Sequence, residues 1–355
     1  MDEFCAVTGY HRKYAIAADY PWSARLVVIV RDWMPHARVR LNLSDEVAQL
    51  LLGMSARSMD RILRPHRTAL RRRVYGRTKP GTLLKHCVPV RTERWDTTEV
   101  GWCETDTVAH CGEEGGGEFA FSVNLTDVAS TWTETRAVLG KSQRFVVQAL
   151  EDMRRSLPFD LRGIDSDSGS EFVNHHCFKW CQEHHLQFTR GRPYRKNDNA
   201  YIEQKNWTHV RKIFGWKRID APAAIAAMNE LYRSELRVFL NYFQPSVKLL
   251  TRRRVGSRVR RTYDAPQTPF ERLIALGALS AQQLAAMRAE RDALDPFELS
   301  AAIETQVRRI LSTPGAGTRS RVVQRPAAWA EPLTQQQAAF IAATEAVPVR
   351  SNVAR

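Results

Sequence analysis

Between residues 101 and 139 apolar and polar positions alternate with a period of two. In "GWCETDTVAH" (101–110) Trp102, Glu104, Asp106 and Val108 share one strand face, and in "FAFSVNL" (119–125) Phe119, Phe121, Val123 and Leu125 do the same. "STWTETRAV" (130–138) reads as a third strand, and the short connections between the three predict an antiparallel meander. "CGEEGGGE" (111–118) is acidic and would repel phosphate, so it reads as a hairpin turn. The period then lengthens. "SQRFVVQALEDMRRSL" (142–157) carries Phe145, Val146, Ala149, Leu150 and Met153 at helical spacing. A strand over 160–167, a helix over 172–185, a strand over 186–190 and a helix over 199–216 follow. The order β-β-β-α-β-α-β-α predicts an α/β fold: a mixed five-stranded sheet with helices on both faces.

The flanks are less regular. Residues 1–40 show no clean period. Ser44 is placed to cap a helix "DEVAQLLL", Gly53 breaks it, and Ser55 can cap a second helix "ARSMDRILR". Two short helices about a glycine fit either a helix-turn-helix or a plain packing element. Residues 64–94 are strongly basic, with Pro80 and Gly81 in the middle, and read as an extended linker suited to a phosphate backbone. Beyond the core, 222–243 is helical and Pro245 ends it, while "KLLTRRRVGSRVRRTYD" (248–264) is a basic segment with short strands. Residues 271–312 predict two helices, the second opening at Asp295-Pro296. The expected organisation is an N-terminal helical region (1–63), a basic linker (64–98), a core (99–220), C-terminal helices with a basic module (221–312) and a flexible tail (313–355).

Composition changes the picture in one respect. The 355 residues carry a formal charge of +15, which favours a polyanionic partner. A membrane role is disfavoured, since the longest aliphatic run, "LVVIV" (26–30), cannot span a bilayer. "MDEFCAVTGY" is acidic and lacks an apolar segment, so no leader is expected. Six irregularly spaced cysteines do not form a disulfide framework and point to reduced thiols in a cytoplasm. Cys177, Cys181 and His184 fall on one helix. One helix cannot close a zinc tetrahedron, so buried thiols and surface histidines are expected there.

The chemistry concentrates in carboxylates. "GIDSDSGSEF" (163–172) ends a strand in Asp167-Ser168-Gly169, which places an acid at the sheet's carboxyl edge. Asp165 lies two residues earlier, too far back to reach past that edge, and reads as structural or as a support behind the acids at the edge. Glu171 reads as a first-turn helix acid, and Asp127 as a turn former. If the first strand pairs with the fourth, Asp106 becomes the neighbour of Asp167. Glu203 lies in the first turns of the helix over 199–216, at the head of an apolar stripe of Trp207, Val210 and Phe214, so its charge is aimed inward. Three inward carboxylates repel unless a divalent cation neutralises them, and hard oxygen ligands suit Mg²⁺, with Mn²⁺ as a substitute.

These residues resemble the DDE transposases and retroviral-type integrases, which share a ribonuclease H-like core. Residues 168–202, 35 positions, separate Asp167 from Glu203, the spacing of that family. "DSGSEF" is similar to its D-N-G-x-x-F turn, with Ser168 for the usual Asn. "ETDTVAH" is similar to its first-strand motif and "RPYRKNDNAYIEQKNW" to the segment before its third acid. The resemblance covers about 100–220 and extends loosely to about 275. Two features depart from it. Val210 stands where many members carry Lys or Arg, with Arg211 next but pointing elsewhere on the helix, and the N-terminal region is short.

The resemblance implies a function. Asp106, Asp167 and Glu203 would hold the metal ions. The protein would bind the double-stranded ends of a mobile element, nick them, and join the 3′-hydroxyls to target DNA, as a cytoplasmic, nucleoid-associated homo-oligomer. Arg190, Arg192, Tyr194, Arg195 and Lys196, on the segment leading to Glu203, would grip DNA, as would Arg252, Arg253 and Arg254. The alternatives are a catalytically inactive DNA-binding remnant of a transposase and a ribonuclease H-like nuclease that cuts without joining.

Overall fold

The alternating segments pair as a meander, and two further strands extend it on one side. β1 (Trp102–Ala109), β2 (Ala120–Asp127), β3 (Thr133–Leu139), β4 (Gly163–Ser166) and β5 (Gln187–Arg190) form one sheet in the order β3-β2-β1-β4-β5. The β1–β2 and β2–β3 pairs are antiparallel, and β1–β4 and β4–β5 are parallel. The computed structural model describes residues 23–69, 98–113, 115–166, 172, 175–190, 202, 205–255 and 258–315. Residues 1–22, most of the expected linker (70–97) and residues 316–355 lie outside them.

β1 is central, so both of its faces are covered. The parallel β1–β4 contact is close: a Cβ on Gly163 would lie 2.6 Å from the Trp102 ring, a distance that only glycine avoids. Asp127 closes the turn between β2 and β3. Its fully buried carboxylate accepts hydrogen bonds from the Gly101 amide (2.8 Å) and from the amide and hydroxyl of Ser130 (both 2.6 Å). It is the turn former that its position suggested. The glycine-rich turn after β1 is clasped by Arg218, whose guanidinium donates to the carbonyls of Cys111 and Glu118.

Before the sheet come α1 (Ser23–Leu41), α2 (Asp45–Gly53) and α3 (Ala56–Ala69). The two expected serine caps form: Ser44 accepts from the Val47 amide and Ser55 from the Ser58 amide. α3 continues through Pro65 to Ala69, into the segment read as linker, because proline can bend a helix without ending it. α1 falls in the N-terminal region expected to be helical, although its period could not be read from its sequence. Its buried residues Ile29, Trp33 and Ala37 join a cluster otherwise built largely from the C-terminal helices.

On one sheet face, Phe121, Val123 and Leu125 meet α4 (Gln143–Ser156) and α5 (His175–Glu183), through residues such as Leu150, Met153, Cys177 and Cys181. Cys177 and Cys181 are buried thiols, while His175, His176 and His185 are exposed. On the other face lies a π-helical stretch, Asn206–Arg211, that closes in the single turn α6 (Lys212–Phe214). Its i→i+5 hydrogen bonding widens the turn, so the buried positions are Lys205, His209, Val210 and Phe214. Trp207, expected in the inward stripe, is 52% exposed.

α7 (Pro222–Arg233) and α8 (Glu235–Val238) follow, then a π-turn over Phe239–Phe243. A buried ion-pair network fastens them to β3: Arg136 meets Asp152 and Glu134, and Arg237 meets Glu134 at 2.7 Å. The basic segment forms a separate hairpin of β6 (Leu249–Val255) and β7 (Arg258–Tyr263). Three helices, not two, complete the described chain: α9 (Pro269–Ala275), α10 (Ala281–Asp292) and α11 (Pro296–Ser312). Gly277, at φ +61°, stops the first, and Ser280 caps the second, so the single helix read from the apolar pattern is divided. Asp295 caps α11 as expected, accepting from the Phe297 amide.

His110, just after β1, is buried. Its Nε2 lies 2.8 Å from the Ser122 hydroxyl, which meets the Tyr232 hydroxyl at 2.7 Å. Burial, assisted by the charge of Arg211, lowers its pKa from 6.5 to about 3. Between those values the unfolded chain binds a proton that the folded chain does not, so stability falls as pH drops from 6.5 towards 3. In His110→Phe the unfolding free energy, measured in urea, should decline less steeply across that window, by up to about 1.4 kcal/mol per pH unit. Equal slopes in variant and wild type would show that His110 is protonated in the fold.

Candidate active site

Asp106 sits near the end of β1, beyond the last parallel pair of the sheet's centre. Thr105 pairs with Ser166, and Asp106 and Asp167 are the residues that follow each of them in sequence. Across the antiparallel side Asp106 pairs with Asn124. Its partly exposed carboxylate is held from two directions. Oδ1 accepts from the Thr107 amide at 2.7 Å, and Oδ2 accepts from Asn206 Nδ2 at 2.6 Å. Asn206 Oδ1 in turn accepts from Asn124 Nδ2 at 2.5 Å, and Asn124 Oδ1 accepts from the Thr135 hydroxyl at 2.7 Å. The chain of amides runs from β3 through β2 to Asp106, and each link fixes the direction of the next. The carboxylate is therefore set in one orientation before any ligand arrives.

A second tie lies one strand pleat away. The buried Glu104 accepts from the Ile202 backbone amide at 3.2 Å. Ile202 and Asn206 bracket position 203, and both are bonded to side chains of the same face of β1. Glu203 and Asp167 themselves lie outside the described residues, as do Glu171, Arg192, Tyr194, Arg195 and Lys196. Among the described residues no three His, Cys, Asp or Glu side chains are grouped to hold a metal ion. The Asp106 carboxylate is itself a hard oxygen donor.

Glu104, Asn124 and Asn206 were not singled out in the sequence. Two of them carried a signal in their spacing: Glu104 is two residues before Asp106 on one strand face, and Asn206 is three after Glu203 on a helix. Asp165 is structural, as expected. It is buried and accepts from the Thr189 hydroxyl at 2.5 Å. Val210 is buried, and Arg211 turns away to stack on Trp216, with 4.0 Å between guanidinium and ring.

The basic residues divide by setting. Arg190 ends β5, paired with Ser166, and is 9% exposed. Arg253 and Arg254 are exposed on β6, and Arg260 and Arg261 are exposed on β7. Arg253 pairs with Arg260 and Arg252 with Arg261 across the hairpin. Like charges placed directly opposite destabilise a ladder, so this hairpin suits a polyanion that covers it. Leu250 and Tyr263 are exposed beside them.

Lys205 and His209 contribute buried bases on the π-helical stretch. Burial, with the charges of Arg25 and Arg272, lowers the Lys205 pKa to about 7. Burial and the nearby Lys205 and Arg25 hold His209 well below its ordinary value.

The chain is similar to several known proteins. Residues 96–196 match the family described as "Integrase core domain". The chain is 36% identical over 308 residues to "Uncharacterized protein y4rM" of Sinorhizobium fredii, covering 77% of this chain and 88% of that protein. Among solved structures it is similar to the catalytic core domain of BIV integrase, at 15% identity and a TM-score of 0.32, covering 49% of this chain and 94% of that one. It is also similar to the HTLV-2 integrase catalytic core domain, solved in complex with magnesium, at 11% identity and a TM-score of 0.31, covering 41% and 88%. The chain therefore carries an integrase core domain over residues 96–196 and belongs to the same family as the rhizobial protein.

Proposed function

We propose that this protein is a DNA transposase or integrase that nicks the ends of a mobile element and joins the exposed 3′-hydroxyls to target DNA. Asp106, Asp167 and Glu203 would hold two Mg²⁺ ions, with Mn²⁺ able to substitute. Bound there, the pair would supply Lewis-acid activation of the attacking oxygen and charge stabilisation at the departing one. The observation that carries this reading is the double tie of β1 to the residues on either side of position 203: Glu104 accepts from the Ile202 backbone amide and Asp106 from the Asn206 side-chain amide. It is what a site needs if a helix acid is to work beside a strand acid.

The chain's own residues do the rest. Asn206 and Thr107 orient the Asp106 carboxylate. The sheet supplies a rigid platform, on which preorganised donors lose little free energy when the ligands arrive. The arginine-rich hairpin and the basic segment with Arg192, Tyr194, Arg195 and Lys196 would hold the phosphate backbone, neutralising charge without reading sequence, whereas the buried Arg190 is not available for that role. A homo-oligomer that pairs both ends is the working form.

The test is a strand-transfer assay with Mn²⁺ and a labelled duplex of the element end. Asp106→Asn, Asp167→Asn and Glu203→Gln should each lower joining by about 10²-fold or more while retaining end binding. Joining that survives Asp167→Asn removes the proposal. Cut but unjoined product from the wild type assigns a nuclease, and binding without cutting assigns an inactive remnant. Asn206→Ala should cost about 10–100-fold and raise the Mn²⁺ concentration for half-maximal rate. An unchanged metal requirement would show that Asn206 does not position Asp106.

A further inference from the structure

We infer that the chain carries a second, internal anion site, suited to a phosphate group, where the π-helical stretch, α1 and the strap 244–248 converge. Three buried side-chain nitrogens there have no hydrogen-bond partner: Arg272 Nε, Gln244 Nε2 and His209 Nε2. Their residues are 7%, 7% and 4% exposed, and Lys205 is 4% exposed. Among the described residues none pairs with the Lys205 ammonium.

The strap gathers these groups. Arg25 on α1 donates to the Pro245 carbonyl, next to Gln244. Arg272 on α9 donates through Nη2 to the Ser246 carbonyl at 2.9 Å. Lys205 lies within electrostatic range of both Arg25 and Arg272, and His209 within range of Lys205 and Arg25. Lys248, at the end of the strap, lies within range of Arg272 and donates to the Ala129 carbonyl at 3.0 Å.

The charge balance decides what would fit. Asp264 takes Nη1 of Arg272, at 2.6 Å, and leaves the buried Nε without a partner. Asp127 lies within range of Lys248 but is occupied by Gly101 and Ser130. A buried ammonium beside two guanidinium groups is costly unless an anion meets it. A carboxylate offers two oxygens, whereas a phosphate offers several acceptors in a tetrahedron. It can take the Arg272 Nε–H, the Gln244 amide and the Lys205 ammonium together. The group is either free phosphate or a phosphodiester of DNA. Lys205 immediately precedes Asn206, which touches Asp106, so an anion held here would bear on the positioning of that carboxylate.

The experiment needs neither DNA chemistry nor metal, so its outcome is independent of the proposed strand transfer. The full chain is melted in EDTA with inorganic phosphate against chloride at equal ionic strength. Wild type should gain a few degrees in Tm at saturating phosphate. Lys205→Met should melt at or above wild type in chloride, because a buried cation is gone, and should show no phosphate shift. Arg272→Gln should also lose the shift, and serves if the first variant does not fold. Arg308→Gln, at an exposed position of α11, should keep it. If a short duplex abolishes the phosphate shift in wild type, the natural occupant is a backbone phosphodiester. If it does not, the occupant is free phosphate. No phosphate shift in wild type, or one that persists in Lys205→Met, overturns the inference.

Discussion

The hydrogen bond from Asn206 to Asp106 joins the two halves of the core. One partner comes from the central strand and the other from a π-helical stretch a hundred residues later. Without it, the carboxylate at the end of β1 would be a partly exposed acid on a strand end, free to take several rotamers. With it, and with the Asn124 and Thr135 links behind it, the carboxylate has a fixed aim. The Glu104–Ile202 contact repeats the tie two residues back along β1. Everything proposed about metal binding depends on that pair of ties, because they hold the chain on either side of position 203 against the strand that carries Asp106.

The rest of the fold serves to keep β1 still. α4 and α5 cover one face of the sheet and the π-helical stretch with α7 covers the other. The Arg136–Glu134–Arg237 network binds the outer strand to α8. α1, from the start of the chain, packs with helices from its end, so the regions flanking the core share one apolar cluster. That packing also brings Arg25 to the strap beside Gln244 and so assembles the internal cationic group. The like-charged ladder of the β6–β7 hairpin is a second place where positive charge is concentrated, this time at the surface. A chain of net charge +15 has thus placed basic groups both on an exposed hairpin and next to the candidate site.

Much of this was legible in the sequence. The period-two segments gave β1 to β3, and the need to bring Asp106 near Asp167 correctly required the first and fourth strands to pair. What was missed has physical causes. The run "LVVIV" is apolar at every position, which hides the helical spacing of Ile29, Trp33 and Ala37. Trp207 was placed inside because the stripe was drawn at 3.6 residues per turn, and the wider π-helical turn carries it outward. The division of the helix after Ala275 depends on a left-handed conformation at Gly277, which a lone glycine does not announce. Asn124 and Asn206 had ordinary polar side chains in unremarkable places. Only the juxtaposition of β2 with the π-helical stretch shows that they form one chain of hydrogen bonds.

The central claim is that three acids from separate elements form one divalent-metal site. Crystals soaked in Mn²⁺ and measured at its absorption edge test it most directly. The account predicts anomalous peaks within ligand distance of Asp106, Asp167 and Glu203, lost in Asp106→Asn. Peaks elsewhere, or a Glu203 carboxylate turned to solvent while Asp106 stays bound to Asn206, would contradict it.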